Sequence, residues 1–168
     1  MNILHIDRIA SPIGEILLVV DGAQLVALDY AGYEPRMLKL LARRYGPLTL
    51  EEAADPHGYS TLVRAYLAGD LAALDGIPVN TGGTPFQQQV WQALREIPAG
   101  QVQTYGGLAA RLGRPSAARA VGMTNSLNPV AIVLPCHRVV GANANLTGYA
   151  GGLERKQWLL DHERGVRQ

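Results

Sequence analysis

Residues 128–141 read Asn-Pro-Val-Ala-Ile-Val-Leu-Pro-Cys-His-Arg-Val-Val-Gly. Asn128-Pro129 breaks whatever helix precedes it, and Val130–Leu134 is a continuous apolar run, so it is expected to be a buried strand. That strand delivers Pro135, Cys136, His137 and Arg138 to one place. Cys136 is the only cysteine in the chain. A thiol becomes a strong nucleophile only as the thiolate, which neighbouring cations and imidazole favour. Adjacent side chains on an extended backbone point apart, so a working Cys136-His137 pair needs a turn or a bridging water. An acid that orients the imidazole would complete it, and both Asp161 and Glu163 near the C-terminus qualify.

Upstream of this stretch the pattern is helical. Thr84-Pro85-Phe86-Gln87 carries a cap, a first-turn proline and the glutamine of a capping box, with Phe86, Val90, Leu94 and Ile97 at helical steps. Pro98 and Gly100 end that helix. Thr104 caps a short helix up to Gly113, and Ser116 is expected to cap another over 117–126. Helix, Gly/Pro turn, helix is the helix-turn-helix pattern. Downstream, a polar loop leads to a last helix, Leu153–Glu163, with Trp158, Leu159 and Leu160 toward the core.

The first half reads differently. Ile3–Ile9, Ile16–Val20 and Leu25–Tyr30 are expected strands, with Ser11-Pro12-Ile13-Gly14 as a turn and Asp21-Gly22 as a hairpin signal. Helices are expected over 34–45, limited by Pro47, and over 60–68, capped by Ser60 and stopped by Gly69. A boundary at about residues 80–84 divides the chain into 1–82, an N-terminal α/β supporting domain, and 83–168, the domain that carries the helix-turn-helix pattern and Cys136. The fold class is therefore α/β: a small, mostly antiparallel sheet with helices, then a mainly helical part.

The chain has 168 residues, 48% hydrophobic, with a mean hydropathy of +0.03. No apolar run is long enough to span a bilayer, and no signal peptide precedes the fold, so a cytoplasmic protein without membrane association is expected. A single cysteine excludes an internal disulfide and the common multi-cysteine zinc sites. Residues 1–84 hold six Lys/Arg against ten Asp/Glu, whereas 85–168 hold nine against four. The basic half is the one expected to meet a polyanion.

Pro135-Cys136-His137-Arg138-Val139-Val140-Gly141 resembles the active-site signature of the O6-alkylguanine-DNA alkyltransferases, also called methylated-DNA–protein-cysteine methyltransferases. Thr84-Pro85-Phe86-Gln87 with Val90-Trp91, Ile97-Pro98-Ala99-Gly100, Thr104-Tyr105-Gly106, Ala117 to Gly122, Asn128-Pro129, Gly148 to Gly152 and Lys156 to Leu160 with His162-Glu163 stand in that family's order. The strong resemblance covers about residues 83–163. Ser11 to Gly14 and Tyr66 to Gly69 are similar to the bacterial Ogt-type members.

The resemblance implies a winged-helix-like second domain. It also implies irreversible, single-turnover transfer of an alkyl group from O6-alkylguanine in double-stranded DNA, with O4-alkylthymine as a further substrate, to Cys136. The nucleotide would be flipped out from the minor-groove side. His137 would be a water-bridged base oriented by Glu163. Tyr105 would donate toward the leaving guanine and touch the DNA backbone. Arg119 would fill the emptied stack, with Ala118, Ser116 and Arg138 also facing DNA. Asn128 would brace the turn before the active-site strand, and Lys156 would lie near the thiol. The carbonyls of Cys136 and Val139 would take the guanine amino group. Tyr149 would wall the pocket, Ala150 N–H would meet the guanine oxygen, and Pro135 and Gly151 would complete that pocket. A monomer with no metal and no cofactor is expected. An alkyltransferase-like protein that binds lesions without reacting would lack Cys136, and a thiol hydrolase would recycle. Thr124, Ser126 and Ala144 depart from the family pattern, and a positive φ at Ala144 would be unfavourable.

Overall fold

The computed structural model describes residues 1–166 and divides into two compact units. Unit 1 is residues 1–82 together with 129–133, and unit 2 is the remainder. The sequence reading kept 83–168 in one piece; the structure instead counts the five residues after Asn128 with unit 1.

Unit 1 is a four-stranded sheet in the order β3-β2-β1-β4, where β1 is Asn2–Ile9, β2 Ile16–Asp21, β3 Gln24–Tyr30 and β4 Leu48–Glu52. β1, β2 and β3 pair antiparallel and β4 joins β1 in parallel. The Gly22-Ala23 loop closes the β2–β3 hairpin, with Gly22 at φ 58, a conformation glycine adopts without strain. β2 is buried at every position from Ile16 to Val20, which is why it reads as an unbroken apolar run. Helix α1, Glu34–Tyr45, sets Met37 and Leu41 against Leu4, Ile6, Leu17, Val19, Val26 and Ala27. Burying a side chain of this size contributes roughly 1.5–3 kcal/mol. β4 was not expected. Its Leu48/Leu50 alternation is half hidden by acidic neighbours, as suits an edge strand.

Helix α2 runs Tyr59–Leu67, and Ser60 is not its cap: the N-cap is Gly58, and Ser60 Oγ donates to Asp7 Oδ2 at 2.6 Å. A half-buried carboxylate needs donors more than an exposed helix end does. The 129–133 segment is where the expected strand fails. Residues 130–134 are buried as expected, but only Val130 bridges a strand residue, Leu28. The next peptides turn: Val133 N–H donates to Ala131 O at 2.8 Å around Ile132, whose φ is 70. A three-residue hydrogen-bonded turn about a positive φ is strained, and for a β-branched residue costs of order 1–3 kcal/mol.

Unit 2 holds helices α3, Pro85–Arg95; α4, Tyr105–Arg111; α5, Ala118–Ser126; and α6, Leu153–Glu163. A two-stranded parallel ribbon pairs β5, Gln103–Thr104, with β6, Val139–Val140. α3 starts with the full capping box: Gln87 N–H donates to Thr84 Oγ1 at 3.1 Å and Thr84 N–H to Gln87 Oε1 at 2.9 Å. Gly83 just before it has φ 86, and a Cβ there would sit 2.8 Å from the Trp91 ring. Thr104 caps α4 through Gly107 N–H. Ser116 does not cap α5: the N-cap is Ala117, with no side-chain bond. In α6, Leu159 and Leu160 are buried as expected, whereas Trp158 is half-buried and stacks on His162 at 4.8 Å. Ala144 does adopt φ 59, beside Asn143 at the same angle.

Thr84→Ala removes one half of the capping box and should lower stability by about 1 kcal/mol in urea unfolding, with an unchanged denaturant slope. An unshifted midpoint would show the box to be ornamental.

Candidate active site

The β5–β6 ribbon brings two parts of the site together. β5 runs straight into Tyr105 at the start of α4, and β6 leaves directly from Cys136–Arg138. Cys136 itself enters through a tight turn, its N–H donating to Leu134 O at 2.7 Å around Pro135 at φ −80, ψ 67. That is an inverse γ-turn, and proline's fixed φ suits it. Cys136, His137 and Arg138 then form one 3-10 turn. The turn answers the problem posed by adjacent side chains on extended chain: it sends His137 inward and leaves Cys136 on a cavity wall.

That cavity, of about 240 Å³, is lined by Cys136, Tyr105, Gly122, Asn125, Ser126, Gly148, Tyr149 and Ala150. Cys136 is 4% exposed, so the thiol meets solvent only through it. Behind Cys136 lies a buried polar cluster. His137 Nε2 is 2.9 Å from Glu163 Oε2, and Arg138 grips the same carboxylate through Nε at 2.9 Å and Nη2 at 2.7 Å. Arg138 Nη1 also donates to Ile97 O at 2.6 Å. Of the two acids considered, Glu163 and not Asp161 orients the imidazole. Arg138, expected to face DNA, is instead directed inward, because a buried carboxylate beside a single neutral imidazole would be underpaired.

Burial works against charge on Glu163, but the bonds from His137 and Arg138 outweigh it and hold the carboxyl well below its ordinary range. Burial likewise pushes His137 below its ordinary value, against the pull of Glu163. The carboxylate only accepts, so the neutral imidazole carries its proton on Nε2 and leaves Nδ1 as a bare acceptor. Nδ1 is buried and has no hydrogen-bond partner among the described residues.

Lys156 is fully buried, and its Nζ donates to Val139 O at 2.6 Å, Thr147 O at 2.7 Å and Gly148 O at 3.2 Å. Burial pushes its pKa down to about 8, while the Cys136 side chain pulls the other way. The lysine ties β6 to the loop that forms one cavity wall. Tyr105 is half-buried, its hydroxyl 3.5 Å from Thr147 O. Asn128 Nδ2 donates to Leu134 O at 2.7 Å, clipping together the two ends of the 129–133 excursion. Arg119, Ser116 and part of Ala118 lie on the exposed surface of α5 and before it, away from the cavity lining. Pro135, Val139 and Gly151 do not line the cavity; all three are buried, Pro135 next to Cys136 and Gly151 next to Ala150. Asn125, Ser126, Gly122 and Gly148 line it and were not singled out from the sequence as pocket residues. Asn125 also donates from Nδ2 to Cys136 O at 3.2 Å.

The model of the 6-O-methylguanine DNA methyltransferase DNA-binding domain matches residues 85–165. A methylated-DNA–protein-cysteine methyltransferase of Salmonella typhimurium is 52% identical over 160 residues, 94% of each chain. The chain belongs to the methylated-DNA–protein-cysteine methyltransferase family. A member from Mycobacterium tuberculosis is 42% identical over 96% of this chain and 93% of its own. The crystal structure of Mycobacterium tuberculosis O6-methylguanine methyltransferase superposes with a TM-score of 0.79 at 39% identity, covering 98% of this chain and 95% of that one. A second crystal structure, of the Mycobacterium tuberculosis protein in complex with DNA, gives 0.78 over 97% and 93%. The mixed α/β architecture, with its small sheet and several helices, is the family's.

Native His137 and native Glu163 both hold a proton less tightly than the unfolded chain does, from ordinary values of 6.5 and 4.5. The unfolded state therefore takes up protons first as the pH falls. Stability should drop below pH 6.5 through His137, and again below 4.5 through Glu163. Urea midpoints between pH 7.5 and 3 check this; Glu163→Gln should keep the fall below pH 6.5, since the pull that raises His137 goes with the carboxylate, and lose the one below 4.5. A midpoint that rises toward acid would contradict it.

Proposed function

We propose that this protein repairs DNA by moving an alkyl group from O6-alkylguanine to Cys136, once per molecule. The supporting observation is one arrangement: the single cysteine of a member of this family stands on the wall of a cavity and is backed by a buried imidazole–carboxylate pair.

The step is a displacement at carbon. Cys136 Sγ loses its proton by way of a water to His137 Nδ1, the bare acceptor, and Glu163 steadies the imidazolium that forms. The sulfur then bonds to the alkyl carbon as the carbon–O6 bond breaks. The electron pair leaves on the guanine, and the Tyr105 hydroxyl donates toward it, lowering the barrier where charge develops. The proton taken by His137 balances the one given to guanine. The product thioether has a poor leaving group, so the protein does not recycle.

Reaching O6 in a duplex requires the nucleotide to be turned out of the stack. α4 and α5, joined by the Gly113 to Ala117 turn, serve as the helix-turn-helix, with α5 lying in the minor groove. Arg119 is exposed and has no partner among the described residues. Its planar cation suits the gap that the nucleotide leaves. Ala117, Ala118, Ala120 and Gly122 around it allow close approach. Ser116 and Tyr105 reach the backbone phosphates. The base enters against Tyr149, with Ala150 N–H toward its oxygen. The Cys136 and Val139 carbonyls take its amino group; the first also accepts from Asn125 Nδ2 and the Val139 N–H, and the second from Lys156 Nζ. Asn128 and Lys156 hold the turn and the loop on either side. The protein acts as a monomer, and O4-alkylthymine is the further substrate.

Intact mass after mixing with a duplex holding one O6-methylguanine tests this. The expected result is one added methylene per chain, mapped to Cys136 and missing in Cys136→Ala. Continued demethylation by a protein of unchanged mass would overturn it.

A further inference from the structure

Helix α5 buries one side and turns the other to solvent. Val121, Thr124 and Asn125 are buried, and Trp91 holds that side by donating from Nε1 to Thr124 O at 3.0 Å. The outward side carries Arg119, Ala120, Met123, Ser126 and, just past the end of the helix, Leu127. Met123 is 69% exposed and Leu127 38%. Residues 117–127 contain no acid, and Arg119 is their one charge. Met123 lies one helical turn beyond Arg119 on the same face. The residue before it, Gly122, lines the thiol cavity, and so does Ser126. A long apolar side chain therefore stands in water next to the exposed arginine and beside residues that open onto the reacting sulfur.

We infer that Met123 is a second DNA-contact residue, its side chain packing into the minor groove beside the position that Arg119 fills. The inference rests on the function proposed above, in which α5 lies in that groove, and goes beyond it. A helix faced with alanine, glycine and serine comes close to the groove only if the long side chains on that face are taken in. Arg119 has the vacated stack to enter. Met123 has the groove itself, walled by sugars and floored by base edges. Four residues of helix advance about 6 Å, close to two base-pair rises of about 3.4 Å, so Met123 meets pairs that stay stacked and not the gap. The minor groove is only about 6 Å wide, and an unbranched, flexible thioether chain suits so narrow a space. Apolar side chains placed there act as wedges that favour a bent duplex. Such a contact gains by burying apolar surface and neutralises no phosphate, so its contribution does not depend on salt.

The test compares second-order rates of Cys136 methylation, read by intact mass, on an O6-methylguanine duplex and on the free O6-methylguanine base, each at low and at high salt. Met123→Ala should slow the duplex reaction by about three- to tenfold, a fraction of what full burial of the side chain would give, because ordering it costs entropy. The free-base reaction should not change. The factor should be the same at both salt concentrations, since losing a phosphate contact flattens the salt dependence and losing an apolar one does not. Met123→Leu, which keeps the apolar bulk, should recover most of the duplex rate. An unchanged or faster duplex reaction in Met123→Ala overturns the inference, as does an equal loss on the free base or a loss confined to low salt. A wild type that sediments as a dimer, with Met123→Ala as a monomer, assigns this face to a second copy of the chain and also overturns it. A wild type that the duplex never methylates overturns the proposed function as well.

Discussion

One carboxylate, Glu163, sits buried between an imidazole and a guanidinium, and the site is arranged around it. Moving that charge out of water carries a penalty of several kcal/mol, offset only if every lone pair finds a donor. His137 and both faces of Arg138 supply those donors. The same bonds join the last helix to the 3-10 turn that carries Cys136. Removing either partner would leave charge buried and unpaired, at a cost of about 3–5 kcal/mol. The cluster thus settles two questions together: how the C-terminal helix is anchored, and which imidazole nitrogen faces away from the carboxylate.

Around this lock the chain makes an excursion. It leaves α5 at Asn128, contributes residues 129–133 to the first unit, and returns at Leu134. Asn128 ties the two ends of the excursion, and two successive three-residue turns, about Ile132 and Pro135, bring the backbone round. The strain at Ile132 is local, whereas the geometry it permits places a thiol on a cavity wall and an imidazole beneath it. Lys156 does for the opposite wall what Asn128 does for the turn: one buried ammonium holds three carbonyls from two segments.

Much of this was legible in the residues. The capping box at Thr84 and Gln87, the cap at Thr104, the three N-terminal strands and the limits of the last helix are local chemistry, and local chemistry is written in sequence. Family motifs named Cys136, His137, Glu163, Tyr105 and Tyr149 without any geometry. What was not legible depended on partners far along the chain. Ser60 has the makings of a cap, yet Asp7, more than fifty positions away, takes its hydroxyl. The apolar run at 130–134 announced burial, but burial alone cannot separate a strand from two tight turns. Arg138 looked like a surface cation because its carboxylate partner lies twenty-five residues on. Asn125 carried no signal at all, since an amide becomes notable only when the fold shows it holding the carbonyl of Cys136.

The central claim is that Glu163 sets up His137 to take the thiol proton. The direct measurement is the second-order rate of Cys136 methylation by an O6-methylguanine duplex, for wild type and Glu163→Gln, at a temperature where circular dichroism shows both folded. The account predicts a loss of at least about a hundredfold, the lower end of what general-base assistance contributes. A folded Glu163→Gln protein that reacts at the wild-type rate would contradict it.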